Sequence, residues 1–285
     1  TWRPVAALTE HELAQRIVDD RLDVLLDLAG FTNHSRLGTL LMKPAPLQLG
    51  WLGYFGSLGV PEVDGVIADP HCVPASEARF FTERLLYMPH TRLCMSPPVG
   101  APDPAPEPPL AGGTSLRFAC LQDLNKINAR VLAAWKRILD GAPGATLLIQ
   151  GRQLAQPEVR AVFEARLDAS GIDRTRLTLG LPQPREAYLA QVGEIDVLLD
   201  TFPYPGGTTT CEAIWMGVPT LTLATPGMLG RQGQALLQQV GMGDWVTDSD
   251  DAYVQRAIAQ AHDRDGTLAT HRQQRRTQRH APRSS

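Results

Sequence analysis

Apolar positions in this chain keep two different rhythms, one on each side of a proline-rich break at residues 97–109. Ahead of the break, short apolar runs have strand character at residues 23–28 (DVLLDL), 47–52 (LQLGWL), 66–68 and 85–88. Residues 9–19 carry Leu13, Ile17 and Val18 at helical spacing and predict a helix. Behind the break the alternation is regular. Strands are predicted at 117–121, 146–149, 177–179, 195–199, 220–223 and 245–247. Helices are predicted between and after them, at 130–139, 158–169, 185–192, 208–216, 232–240 and 252–261. Short strands alternating with helices imply parallel pairing through crossover helices, and hence a doubly wound, Rossmann-type α/β unit.

The break itself, PPVGAPDPAPEPP, holds seven prolines in thirteen residues. Proline fixes φ and lacks an N–H, so this stretch continues neither a helix nor a central strand and reads as a semi-stiff spacer. The expected organisation is a partial first lobe at 1–96, a linker at 97–112, a second lobe at 113–265 and a tail at 266–285. The tail, with HRQQRRTQRHAPRSS, is basic and nearly free of large apolar residues, which predicts a solvated terminus rather than a nucleic-acid arm. The chain opens on Thr1 almost directly before a helix-like stretch, as expected of a piece of a longer protein.

Composition narrows the function classes. The net charge of -3 provides no field for nucleic acid or an anionic membrane. Cys72, Cys94, Cys120 and Cys211 form no C-x-x-C pair, which argues against a zinc site or disulfide framework and fits a reducing cytoplasm. No apolar run is long enough to span a bilayer, and no signal peptide opens the sequence.

The most informative stretch is residues 196–219, DVLLDTFPYPGGTTTCEAIWMGVP. A buried strand ends at Asp200, and Gly206 and Gly207 let the backbone approach a ligand. Thr208, Thr209 and Thr210 are expected to cap a new helix whose first N–H groups face a diphosphate at the carboxyl edge of the sheet. Glu212, one turn on, reaches toward ribose hydroxyls; the plainer reading makes it a solvated charge. Lys126, in LQDLNKIN, follows the lobe's opening strand and is placed to neutralise a leaving diphosphate, the plain alternative being a surface lysine. PREAYL, residues 184–189, brings Arg185 and Tyr188 to the same edge, for phosphate, base or stacking contacts, or as an ordinary amphipathic helix.

These residues resemble a known family. Residues 196–223 are similar to the C-terminal lobe of the O-GlcNAc transferase/SPINDLY family, glycosyltransferase family 41. Residues 23–69, which include KPAPLQLGWLGYFGSLG, and 85–91, LLYMPHT, resemble the family's first lobe in the same order. The resemblance implies a GT-B fold, with two Rossmann-like lobes and a donor site held mostly by the second. It also implies no metal and no cofactor beyond the nucleotide-sugar donor, UDP-GlcNAc. Lys126 falls on the family's diphosphate lysine, Thr208 and Thr209 on its phosphate threonines, and Glu212 on its ribose acid. Gln183, Pro184 and Arg185 match the loop beside the base, and Tyr188 stands where a base-stacking histidine is common. Gly207 replaces a histidine of the animal branch, Asp123 a glutamine, and the family's tetratricopeptide repeats are absent.

The implied activity is transfer of GlcNAc to Ser or Thr hydroxyls of a protein acceptor, with inversion at the anomeric carbon. The barrier lies in expelling a charged diphosphate, so preorganised positive potential from Lys126 and the N–H groups of Gly207, Thr208 and Thr209 is the largest contribution a protein makes. No general base is assigned among His34, His71 and His90. Trp51 and Tyr54 read either as a cleft wall or as core. GDP-fucose or UDP-glucose as donor, and an inactive nucleotide-binding remnant, remain alternatives.

Overall fold

The computed structural model describes residues 2–103 and 115–262, so most of the expected linker and the whole expected basic tail lie outside the described residues. The described chain falls into two units, residues up to 94 with 226–229, and 95–225 with 230 onwards.

The first unit holds a parallel sheet of β1 (Val24–Asp27), β2 (Leu47–Gly50), β3 (Gly65–Ala68) and β4 (Arg84–Tyr87), in that order. The helix α1 (Glu10–Asp19) starts where Thr9 and Glu12 form a reciprocal capping box, which satisfies two N–H groups at the helix start. Leu13 and Ile17 of α1 pack on Ala45 and Leu25. A short helix that the apolar rhythm does not predict, α2 (Leu37–Leu41), is tied to α1 through Glu10, which accepts from the Thr39 N–H and hydroxyl at 2.6 Å each. Trp51 and Tyr54 are half-buried within this unit: Trp51 Nε1 donates to the Arg92 carbonyl at 2.8 Å, and Tyr54 meets Phe31 edge-on.

The second unit alternates as its pattern predicts. It runs β5 (Arg117–Cys120), α3 (Ala129–Gly141), β6 (Thr146–Gln150), α4 (Pro157–Ala169), β7 (Leu177–Gly180), α5 (Arg185–Gly193) and β8 (Val197–Leu199). It continues with α6 (Thr208–Trp215), β9 (Thr220–Leu223), α7 (Gln232–Gln239), β10 (Val246–Thr247) and α8 (Asp250–His262). All pairings are parallel, in the order β10-β9-β8-β5-β6-β7. The period-two alternation of a strand sends neighbours to opposite faces. Phe118, Cys120, Val197 and Leu199 accordingly join the large core with Trp135 and Ile138 of α3 and Tyr253 of α8. Ala119, Leu121 and Leu198 pack on the other face against Leu189 of α5 and Ala213 of α6. Covering both faces buries the sheet: every residue of β8 and β9 is buried, and β8 reads as a continuous apolar run rather than an alternating one.

Topology also fixes where a ligand belongs. From β5 the chain steps outward to β6 and β7, then returns to lay β8 on the other side of β5. The loops leaving the carboxyl ends of β5 and β8 therefore diverge, and the crevice between them is a topological switch point.

Candidate functional site

Two loops border that crevice. The first follows β5: Asp123 accepts from the Asn125 N–H at 2.9 Å and starts a 3-10 turn, Leu124–Lys126, that carries Lys126 back to the sheet edge. The second follows β8. Its anchor is Asp200, fully buried, whose Oδ1 accepts from the N–H groups of Gly206 at 2.7 Å and Thr201 at 3.0 Å. Oδ2 accepts from the Thr222 hydroxyl at 2.9 Å. Burial raises the Asp200 carboxyl to about 6, against the opposing pull of these hydrogen bonds and of Lys126.

Lys126 is half-buried rather than a free surface lysine. Its Nζ donates to the Pro205 carbonyl at 3.1 Å and to Gln122 Oε1 at 3.3 Å, and it lies 4.0 Å over the Tyr204 ring. Burial lowers its pKa, and the nearby Asp200 charge works against that shift. The loop after β5 and the loop after β8 are thus joined by a lysine.

Gly206 admits no side chain. A Cβ there would lie 2.3 Å from Gln122 Nε2 and 2.6 Å from Thr209 Oγ1. Gly207 is equally confined, with Gln232 Nε2 at 2.8 Å from its would-be Cβ. The expected capping by threonine does not occur. Gly207 is the N-cap of α6 and makes no side-chain cap bond, and Thr208, Thr209 and Thr210 form the first turn itself. A glycine at the cap brings the backbone close to Gln232, which donates to the Gly206 carbonyl at 3.1 Å. Thr208 is exposed, Thr209 half-buried and Thr210 buried. The first N–H groups of α6 have no intrahelical acceptor and carry its positive end, which suits an anion.

Glu212 is buried at 3% exposure, contrary to its reading as a solvated charge. Tyr188 donates its hydroxyl to Glu212 Oε2 at 2.8 Å, and Arg185, itself half-exposed, pairs with Oε1. Burial and the adjacent carboxylate push the Tyr188 phenol far above its ordinary range, so it acts as a donor. Arg185 therefore lies on an acid rather than free at the edge. Gln183 and Pro184 are exposed in the turn before α5.

A cavity of about 250 Å³ opens at the carboxyl ends of β5, β6 and β7, lined by Gln122, Asp123, Gln150, Arg152, Pro182 and Tyr188 among others. The residues singled out from sequence thus form two groups. Tyr188 lines the cavity. Lys126, Gln183, Pro184, Arg185, Gly206, Gly207, Thr208, Thr209 and Glu212 stand outside its lining. Gln122, which no sequence motif marks, belongs to both, because it lines the cavity and bonds Lys126 and Thr209. Likewise, no sequence motif marks Asp200 or Gln150 as a site residue. The available signal was position: each is a polar residue at, or just past, the end of a buried parallel strand.

Among the described residues, no group of three or more His, Cys, Asp and Glu is arranged to hold a metal, and no helix is long and apolar enough to cross a membrane.

The family model for glycosyl transferase family 41 matches residues 7–95 and 113–283. The probable UDP-N-acetylglucosamine–peptide N-acetylglucosaminyltransferase SPINDLY of Arabidopsis thaliana is 34% identical over 264 residues, covering 92% of this chain and 29% of the relative. The corresponding protein named SEC, also from Arabidopsis thaliana, is 26% identical over 265 residues. A mutant O-GlcNAc transferase of Thermobaculum terrenum superposes with a TM-score of 0.90 at 34% identity, covering 97% of this chain and 52% of that one. A sucrose-phosphate synthase of Thermosynechococcus elongatus, at 16% identity and a TM-score of 0.59 over 98% of this chain, shares the fold. The chain spans under a third of the curated relatives it matches and about half of the solved transferase.

Proposed function

This chain belongs to glycosyl transferase family 41, whose fold is GT-B, and on that footing we propose that it carries the donor site of a protein O-glycosyltransferase. The donor is UDP-GlcNAc and the acceptor a Ser or Thr hydroxyl of a protein, with inversion at the anomeric carbon. The names of its relatives support both, since they describe UDP-N-acetylglucosamine and peptide transfer. The observation that carries the reading is the meeting of Lys126 with the loop after β8 at the sheet's switch point, where Lys126 Nζ is 3.1 Å from the Pro205 carbonyl and Gln122 links it to Thr209.

The chemistry asked of this site is stabilisation of a leaving diphosphate. Lys126 supplies a point charge, and the N–H groups of Gly207, Thr208 and Thr209 supply fixed dipoles that need no reorganisation during reaction. Glu212 faces the ribose and Tyr188 the base, with Gln183, Pro184 and Arg185 on the base side. These contacts contribute binding and orientation rather than charge stabilisation. No metal takes part in the proposed reaction. We assign the activity to the cytoplasm, since all four cysteines are free thiols.

The test is transfer of labelled sugar from UDP-GlcNAc, GDP-fucose and UDP-glucose, offered separately, to Ser/Thr peptides. Labelling from UDP-GlcNAc that is lost on treatment cleaving O-linked sugar supports the proposal. Labelling only from another donor reassigns the sugar. Nucleotide binding without transfer by the intact protein supports a non-catalytic nucleotide-binding role instead.

A further inference from the structure

The amide of Gln122 sits between the carboxyl ends of β5 and β8, and its two ends meet opposite partners. Its Nε2 donates to Thr209 Oγ1 at 2.7 Å and to Asp200 Oδ1 at 3.4 Å, while its Oε1 accepts from Lys126 Nζ at 3.3 Å. An amide donates only through nitrogen and accepts only through oxygen. Turned round, it would set its NH₂ against an ammonium and its oxygen against a buried carboxylate. The Asp200 and Lys126 charges therefore hold it in one orientation.

We infer that Gln122 is a positioning residue: a buried amide, oriented by Asp200, that sets Lys126 and Thr209 together for a nucleoside diphosphate. This role rests on the donor-site reading above. Gln122 is only 4% exposed, and the Gly206 backbone closes directly on it. Lysine ends a flexible four-carbon stem, so fixing its ammonium before a ligand arrives removes an ordering cost from binding. Lys126 keeps the Pro205 carbonyl and the Tyr204 ring when the amide is gone, so the effect of removing it is partial and confined to diphosphate contacts.

The discriminating comparison is between a nucleotide and its own nucleoside, because a general loosening of the fold weakens both. Gln122→Met keeps the bulk and removes the amide. Calorimetric titration uses whichever of UDP or GDP the unmodified chain binds, and then uridine or guanosine to match. The expected result is a loss of about tenfold for the nucleotide, the scale of one hydrogen bond to a charged group, with the nucleoside unchanged. The nucleotide loss shrinks when Lys126→Ala is already present, because the two side chains act as one unit. Should Gln122→Met fail to fold, Gln122→Asn keeps a polar amide that is one methylene too short to bridge Lys126 and Thr209, and is expected to give the same selective loss. Equal weakening of nucleotide and nucleoside, or no weakening at all, overturns the inference. A folded unmodified chain that binds neither UDP nor GDP removes the donor-site reading itself, a separate failure seen before any variant is made.

Discussion

The Tyr188 hydroxyl donates to Glu212 Oε2 across 2.8 Å, joining α5 to α6 through a carboxylate that is almost fully buried. A buried acid needs such donors, because an unpaired charge in that setting carries the full desolvation penalty. Arg185 supplies the other donor, but from a half-exposed position where solvent weakens its share. Tyr188→Phe keeps the ring beside the cavity and deletes only the hydroxyl. We expect it to lower unfolding free energy by about 1.5 kcal/mol, the scale of a hydrogen bond to a charged group, as measured in urea. Arg185→Ala should change stability by less than about 0.5 kcal/mol. A reversed order would mean that the arginine, not the tyrosine, holds Glu212.

Gly206 tests the packing of the loop. A methyl group there would sit 2.3 Å from Gln122 Nε2 and 2.7 Å from Thr210 Oγ1, so neighbours must shift. Gly206→Ala is expected to cost about 1–3 kcal/mol, as overpacking of a tight site does, and to reduce nucleotide affinity because Gln122 is displaced. Thermal unfolding and titration of one preparation check both. An alanine variant with unchanged stability and affinity would show the loop to be more yielding than its geometry.

Asp200 gives a pH signature. Burial raises its carboxyl from the ordinary 3.8 to about 6, so between those values the folded chain keeps a proton that the unfolded chain has released. The stability contribution is present in full below the lower value and is lost as pH rises through the upper one. Lys126, Cys120 and Tyr253 are the groups whose charges act on this carboxyl or on which it acts, and burial keeps the Cys120 thiol, at about 12, and the Tyr253 phenol protonated over the range. Asp200→Asn preserves the shape, accepts from Gly206 and Thr201 through its oxygen, and donates to Thr222 instead of accepting. The stability of the asparagine variant relative to the unmodified chain should therefore improve as pH rises from about 4 to about 6, read from urea unfolding of both. A difference that stays flat, or moves the other way, removes the buried ionisable group from the account.

Much of the second unit is legible in the sequence because its strands are buried on both faces. Val197, Leu198 and Leu199 form an unbroken apolar run, and the helices between strands keep helical spacing. The helix α2 is not legible: five residues without a side-chain cap bond leave neither a periodic stripe nor a stop signal, and contacts of Thr39 with Glu10 of α1 hold it instead. At the site, Lys126, the two glycines and Glu212 stand out as residue types, but their partners do not. Gln122 and Asp200 meet across 78 positions, and no local pattern reports that pairing. The same limit hides the cap. Three threonines in a row read as capping residues, yet the glycine before them takes the cap position. The loop-anchoring aspartate recurs in this fold. Asp27 accepts from the Gly30 N–H at 2.7 Å, Asp69 from the Cys72 N–H at 2.8 Å, and Asp200 from the Gly206 N–H at 2.7 Å, each at or just past the end of a parallel strand. That regularity is visible in sequence only once the strands are placed.

The central claim is that Lys126 and the Gly206–Thr209 loop form a diphosphate site, and calorimetric titration with UDP and with GDP, repeated on Lys126→Ala, meets it most directly. One nucleotide should bind the unmodified chain, and the alanine variant should bind it more weakly by about 1–3 kcal/mol, the scale for losing a charged contact. A folded chain that binds neither nucleotide, or an alanine variant that binds as well as its parent, would contradict the assignment of this site.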